Sequence, residues 1–325
     1  MIPQASINWH GAVLFDDASV SLSKPHNCSA ENLPGFPHSD QMAQPASTFY
    51  TYFKVTYPLE YVAHVEINRP DRLNAFIEPM WPELRSIFGY LSTAADVRAI
   101  VFSGAGPKAF STGFDVLAAS ETGFLANQSD KNVDAARIAT KVRRYVLEVQ
   151  DCFSALERCE KPVICALHGY ALGLAMDLIV CADVRVCEKE TKFAAKQVDM
   201  GIAADVGTLT RLPKIVGSQS WVKEVCLTGR TFGADEAMRA GLVSFVGDGK
   251  ENTIGKALKI AATIAGKGPV AVQGTKELLN WSQDHTVQDG LRYTSIWNSA
   301  MIQTNDVSWA KTAGMKKTTP RFEKL

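Results

Sequence analysis

Two aspartates stand where a carboxylate is costly unless it has work to do. Asp177 lies in Gly173-Leu174-Ala175-Met176-Asp177-Leu178-Ile179-Val180, a stretch with no other charge. Burial there raises a carboxyl pKa toward the range of a general acid or base working near neutrality. The plainer reading is an aspartate satisfied by the N–H groups of its own helix's first turn. Asp205 sits in Gly201-Ile202-Ala203-Ala204-Asp205-Val206-Gly207-Thr208, again among small apolar residues. It reads either as a second acid or as the N-cap of a helix beginning near Val206.

Two junctions between an apolar run and a helical pattern could supply the complementary chemistry. One is Ala109-Phe110-Ser111-Thr112-Gly113-Phe114-Asp115, the other His168-Gly169-Tyr170-Ala171-Leu172-Gly173-Leu174-Ala175-Met176-Asp177. Each places a glycine just before a helix, where backbone N–H groups lack intrahelical acceptors. One N–H from each, aimed at a common point, makes a two-donor oxyanion hole, and losing one such donor costs roughly 3–4 kcal/mol of transition-state stabilisation. Alternatively, the glycines only permit tight turns.

The elements that must hold these residues follow from periodicity. Residues 50–56 and the alternation over 62–68 predict paired strands, and 79–93 a helix. Residues 99–103 form an apolar strand, closed by a turn at Gly104, Gly106 and Pro107. Over 133–159, Ile138, Val142, Tyr145, Val149, Cys152 and Leu156 recur at helical spacing. A strand at 162–167, a loop at 168–173, a helix to about Cys181 and a strand at 183–187 follow. Beyond Asp205 the chain reads as helical, broken at Pro213, Gly217, Gly229, Gly241 and 247–249. Strands alternating with helices predict an α/β fold with a trailing helical segment. Residues 1–45, rich in Ser, Asn, Pro and His, read as a disordered or artefactual extension, with Met42 as an alternative start.

Composition removes other classes. The 325 residues hold 34 Lys plus Arg against 34 Asp plus Glu, so no broad basic field for nucleic acid exists. There is no run of 18 apolar residues, no signal-peptide pattern, no Walker A, no G-x-S-x-G and no G-x-G-x-x-G after a strand. The six histidines lack metal-ligand spacing, and the seven cysteines, without a C-x-x-C, read as reduced and mostly buried thiols of an intracellular protein.

The segment Asn68-Arg69-Pro70-Asp71-Arg72-Leu73-Asn74-Ala75-Phe76, the junction Ser103-Gly104-Ala105-Gly106 to Phe110–Asp115, and 168–177 together resemble the crotonase (enoyl-CoA hydratase/isomerase) superfamily. The stretches 198–214 and 269–276, with Asp205 as the telling residue, resemble its Δ3,5-Δ2,4-dienoyl-CoA isomerase branch. The resemblance implies a crotonase-like spiral of β-β-α units over 46–240 and a C-terminal helical oligomerisation region over 241–325. It further implies a hexamer built as a dimer of trimers. An acyl-CoA thioester would be held by the N–H groups of Phe114 and Leu174, with Gly113, Asp115 and Gly173 around it and Arg69 and Arg72 toward the CoA phosphates. A proton would leave C2 of a 3,5-dienoyl-CoA and return at C6, with Asp177 and Asp205 as two of three acids.

The third acid, a Glu in the branch, falls on Gln197, which exchanges no proton at neutral pH but can orient a carboxylate or a water. The branch's Gly-Gly-Gly is Gly173-Leu174-Ala175 here. These departures leave two alternatives beside the isomerase: a hydratase or dehydratase on an unusual polyunsaturated acyl-CoA, as in secondary metabolism, or a non-catalytic acyl-CoA-binding homologue. No external cofactor and no metal are implied, because the CoA arrives with the substrate. Partners are the thioester and further copies of the chain, with no nucleic acid and no membrane span. Glu323-Lys324-Leu325 resembles a degraded peroxisomal address, so the expected location is peroxisomal or cytoplasmic, within fatty acid β-oxidation.

Overall fold

A computed structural model describes residues 50–118 and 133–325. The expected N-terminal extension, residues 1–45, lies outside the described residues. Two strands open the fold as an antiparallel pair, β1 (Phe53–Leu59) and β2 (Val62–Ile67). Helix α1 (Met80–Thr93) follows, and then the chain repeats one pattern three times. A strand of five or six residues is followed by a strand of three residues and then a helix. The three turns are β3 (Ala99–Gly104), β4 (Ala109–Ser111) and α2 (Ala135–Arg158); β5 (Val163–Leu167), β6 (Tyr170–Leu172) and α3 (Leu174–Ile179); and β7 (Val184–Glu188), β8 (Lys192–Ala194) and α4 (Thr208–Ile215).

The longer strands join β1, β2 and β10 (Phe245–Gly247) in a six-stranded sheet of order β1-β2-β3-β5-β7-β10, parallel from β2 onward. The short strands form a second sheet, β4-β6-β8-β9, with β9 at Phe232–Gly233. This is the expected spiral of β-β-α units. Because β4 and β6 run parallel, pairing Ala109 with Tyr170 and Ser111 with Ala171, both glycine junctions emerge side by side.

Period-two alternation fixes the two faces of the large sheet. On one, Ala63, Val65, Ile67, Ile100, Phe102, Val163, Cys165 and Leu167 pack on α1 and α2 residues such as Leu84, Phe88 and Phe153. On the other, Val62, Ala99, Val101, Ile164 and Ala166 meet Ala257, Ala261 and Ala265 of α7 (Gly249–Ala265), whose small side chains at four-residue spacing let the helix lie close. The expected start of the C-terminal region at 241 therefore precedes β10, a strand of the large sheet, and α7, which packs on it. The outer helices are α8 (Pro269–Ser282), α9 (Val287–Met301) and α10 (Asn305–Lys316). Lys276 anchors α8 to the sheet, donating to Asp183 Oδ2 at 2.8 Å and to the Lys161 carbonyl at 3.2 Å.

Two local expectations need correction. The stretch 168–173 is not all loop, since Tyr170–Leu172 is strand β6. Pro213 does not break the helix but lies inside α4. The carbonyl that its missing N–H would have met belongs to Leu209, a residue that is 43% exposed. Between α4 and β10 lie helices α5 (Gln219–Thr228) and α6 (Ala234–Ala240).

Candidate active site

The site grows out of the paired ends of β4 and β6. Gly113 has φ +92°, and a Cβ on it would stand 2.6 Å from the Leu172 carbonyl oxygen and 3.0 Å from the Leu174 nitrogen. Only glycine allows this approach, which brings the Phe114 and Leu174 amides together. Phe76 bridges this strand end: its N–H donates to the Gly113 carbonyl at 2.7 Å and its carbonyl accepts from Asp115 N–H at 2.9 Å. Extended backbone alternates direction, so the Phe114 N–H points away from Phe76. The Leu174 N–H is at the first position of α3, where a helix has no internal acceptor. Among the described residues neither N–H meets a protein acceptor. Gly113 thus does more than turn the chain, because it lets the two junctions approach, whereas Gly173 serves the turn with its φ of +54°.

A scaffold that the sequence reading left without a role holds this edge. Asn74, fully buried, donates through Nδ2 to the carbonyls of Ala105 and Ala109, both at 2.8 Å, and accepts from Arg69 N–H. Ser111 Oγ donates to the Asn74 carbonyl at 2.8 Å and accepts from Gly113 N–H at 3.1 Å. Trp81 stacks on Phe114 at 5.9 Å between ring centroids.

Arg69 is committed to this scaffold. Its Nη1 donates to Asp115 Oδ2 at 2.7 Å and to the Ala75 carbonyl at 2.9 Å, and the same carboxylate accepts from Ala118 N–H at 3.1 Å. The guanidinium and Asp115 therefore engage each other, one residue beyond Phe114. Arg72, by contrast, is exposed.

Asp177 lies in α3, three residues past Leu174, and is completely buried. Its partners come from other elements, which settles against satisfaction by its own helix. Oδ1 accepts from Thr208 N–H and from Thr208 Oγ1, each at 2.7 Å, and Oδ2 accepts from Gln197 Nε2 at 2.9 Å. Burial is the largest influence and pushes the carboxyl up; the two Thr208 donors pull it down, and nearby Asp205 pushes it up again, leaving it at about 6. Gln197 sits in the 3-10 turn Lys196–Met200, and its Oε1 is buried without a partner.

Asp205 is not an N-cap. Helix α4 starts at Thr208 with Gly207 as its cap and no side-chain capping bond. Its carboxyl is exposed along the chain's surface yet raised by desolvation. Gln150 of α2 holds its backbone carbonyl at 2.5 Å. Asp205 lines a cavity of about 920 Å³ between α2, α4, α8 and α9, together with Glu157, Arg211, Trp281 and Trp297. Asp177, Phe114 and Leu174 do not line it, so the buried carboxylate and the open donors lie outside this space. The six described cysteines are free and buried. Among the described residues no group of His, Cys, Asp and Glu has the arrangement of a metal site.

The spiral of β-β-α turns thus carries two open amide donors and, one helical turn from Leu174, a buried carboxylate. Residues 59–324 match the family model described as enoyl-CoA hydratase/isomerase, and the chain belongs to that family. It is 43% identical to the human "Delta(3,5)-Delta(2,4)-dienoyl-CoA isomerase, mitochondrial", over 96% of this chain and 93% of that protein. It is 41% identical to the Arabidopsis thaliana "Delta(3,5)-Delta(2,4)-dienoyl-CoA isomerase, peroxisomal", over 81% of this chain and 93% of that protein. Among solved structures it is similar to an enoyl-CoA hydratase from Bacillus anthracis, with a TM-score of 0.74 and 27% identity, covering 84% of this chain and 99% of that one.

Proposed function

We propose that the protein isomerises a 3,5-dienoyl-CoA to the 2,4-dienoyl-CoA. The observation that carries this reading is the buried Asp177 carboxylate, one helical turn from the open Leu174 N–H, in a chain 43% identical to an isomerase of that name. The thioester oxygen accepts from the Phe114 and Leu174 N–H groups, which lowers the energy of the dienolate. Asp177, ionised above about pH 6, removes a proton from C2. The electron pair passes through the conjugated system, C6 takes a proton, and the double bonds end at C2 and C4.

Asp205 supplies the proton at C6, its carboxyl already raised by desolvation and raised further once an acyl chain covers it. The chain runs toward the 920 Å³ cavity, large enough for a substrate tail. Gln197 orients Asp177 instead of exchanging a proton. Asp115 and Arg69 hold the Phe114 donor, Gly113 gives the close approach, Gly173 takes the positive φ of +54° that turns the chain into α3, and exposed Arg72 is the one of the two arginines that meets the CoA phosphates. No cofactor beyond the substrate's own CoA enters this scheme.

Copies of the chain associate through 241–325, where Leu279, Val287, Leu291, Ile296 and Ile302 are exposed, in a dimer of trimers that light scattering tests. Among the described residues no helix is long and apolar enough to cross a membrane. For location, the peroxisomal reading is in line with the relative named peroxisomal, while the human relative is named mitochondrial; microscopy of the tagged full chain tests the peroxisomal or cytoplasmic reading. The activity is tested by mixing the protein with 3,5-dienoyl-CoA. Absorption of a thioester-conjugated diene with unchanged mass supports the isomerase, whereas gain of one water transfers the reading to a hydratase.

A further inference from the structure

Asp177 and Asp205 belong to different elements, and one residue connects them. Thr208 stands three positions after Asp205, is fully buried, and places both its N–H and its Oγ1 hydroxyl on Asp177 Oδ1 at 2.7 Å. A carboxylate offers about four lone-pair sites, two on each oxygen. Thr208 fills both on Oδ1, and Gln197 fills one on Oδ2. A single site remains open.

We propose that Thr208 is a positioning residue for proton transfer: it confines exchange to the one open lone pair of Asp177 Oδ2 and ties the loop carrying Asp205 to the same carboxylate. Thr208 also occupies the first position of α4, so Asp177 accepts an N–H that the helix leaves unpaired, and the positive end of α4 favours its charge. The hydroxyl adds a second donor that no apolar residue of the same shape supplies.

The groups facing Asp177 give the sign of the effect. Arg211 of α4, itself paired with Glu157 of α2, favours the charged form, and Asp205 opposes it. The Cys181 thiol donates to the Asp177 backbone carbonyl at 3.2 Å, and Cys226 of α5 is near enough for the Asp177 charge to act on its thiol. Burial raises both thiols, Cys181 to about 12, so they stay neutral. Gln197 is neutral at every pH. Removing the Thr208 hydroxyl therefore destabilises only the ionised carboxylate, and Asp177 then titrates at higher pH.

This inference rests on the isomerase reading for its kinetic arm and on none of it for its spectroscopic arm. The kinetic arm is the pH profile of kcat on 3,5-dienoyl-CoA for the unaltered protein, Thr208→Val and Thr208→Ser. The spectroscopic arm follows the Asp177 carboxyl by NMR in protein labelled with 13Cγ-aspartate, without substrate, using Asp177→Asn to assign the signal. In Thr208→Val the acidic limb and the NMR midpoint both move up by about one pH unit, since a hydrogen bond to a charged group contributes that much. KM stays put and kcat at pH 9 falls less than threefold, while Thr208→Ser restores limb and midpoint.

A limb and midpoint that stay in place, with kcat lowered evenly at all pH values, overturn the proposal and leave Thr208 a packing residue. If Thr208→Val does not fold, Thr208→Ala provides the same deletion in a smaller side chain, read in the same two ways. Should the unaltered protein fail to turn over the dienoyl-CoA, the isomerase reading is lost, and the NMR midpoint alone decides the role of Thr208.

Discussion

Gln197 Nε2 donates to Asp177 Oδ2 at 2.9 Å, at the position that the resemblance gives to a glutamate. A neutral donor there lets Asp177 titrate alone instead of sharing a proton with a second carboxylate. Gln197→Glu places two carboxyls within hydrogen-bond distance, and such a pair titrates in two separated steps. The variant gains a proton carrier in the pocket, so kcat rises and an additional ionisation appears above pH 6 in its profile. A fall in kcat at every pH would make the amide part of a different mechanism.

Asp177 sets activity against stability. Its folded pKa of about 6 lies above the ordinary 3.8, so the group favours the fold most below about pH 4 and loses that contribution as pH rises through 6. The two-unit difference corresponds to roughly 3 kcal/mol. In Asp177→Asn, the amide oxygen still accepts from Thr208, and its NH2 reaches the orphaned Gln197 Oε1 once that amide turns over. Thermal unfolding of Asp177→Asn then shows a higher Tm than the unaltered protein at pH 8 and no gain at pH 4. Its kcat falls by about a thousandfold or more, as expected for loss of a catalytic base.

Gly113 tests the donor pair. Gly113→Ala sets a methyl carbon 2.6 Å from the Leu172 carbonyl and strains a φ of +92°. The Phe114 and Leu174 amides are forced apart, and kcat drops by roughly 100-fold or more while the fold survives at lower stability. Steady-state kinetics beside a denaturation curve separates the two effects.

Arg69 and Arg72, named together as phosphate-facing residues, separate in the structure. Arg69 is bound to Asp115, next to the Phe114 donor, so Arg69→Met lowers kcat about tenfold or more with little change in KM. Arg72→Ala acts on KM for the CoA thioester and leaves kcat alone. An equal rise in KM for both variants contradicts this division.

What could be read along the chain was local chemistry: an aspartate alone in an apolar helix, and a glycine before each of two helices. The strands at 62–68, 99–103 and 162–167 were equally legible, the first from its alternation and the other two as short apolar runs, because both signals are written in consecutive residues. Strands β4, β6, β8 and β9 were not, since two or three residues are too few for any period and exist only through their neighbours. Thr208 escaped for a related reason. Its partner is 31 positions away, and a threonine at the start of a helix looks like ordinary capping. Asn74 lay inside a recognised motif, but its task of pinning the carbonyls of Ala105 and Ala109 is visible only once the loop is folded over it.

The most direct test of proton movement from C2 to C6 is the reaction of 3,5-dienoyl-CoA run in D2O, with the product's label located by NMR. Two separate carboxylates, Asp177 at C2 and Asp205 at C6, predict a 2,4-dienoyl-CoA with deuterium at C6 and no added oxygen. A product carrying deuterium at C2 and a new hydroxyl at C3, or a 2,4-diene free of label, contradicts the account.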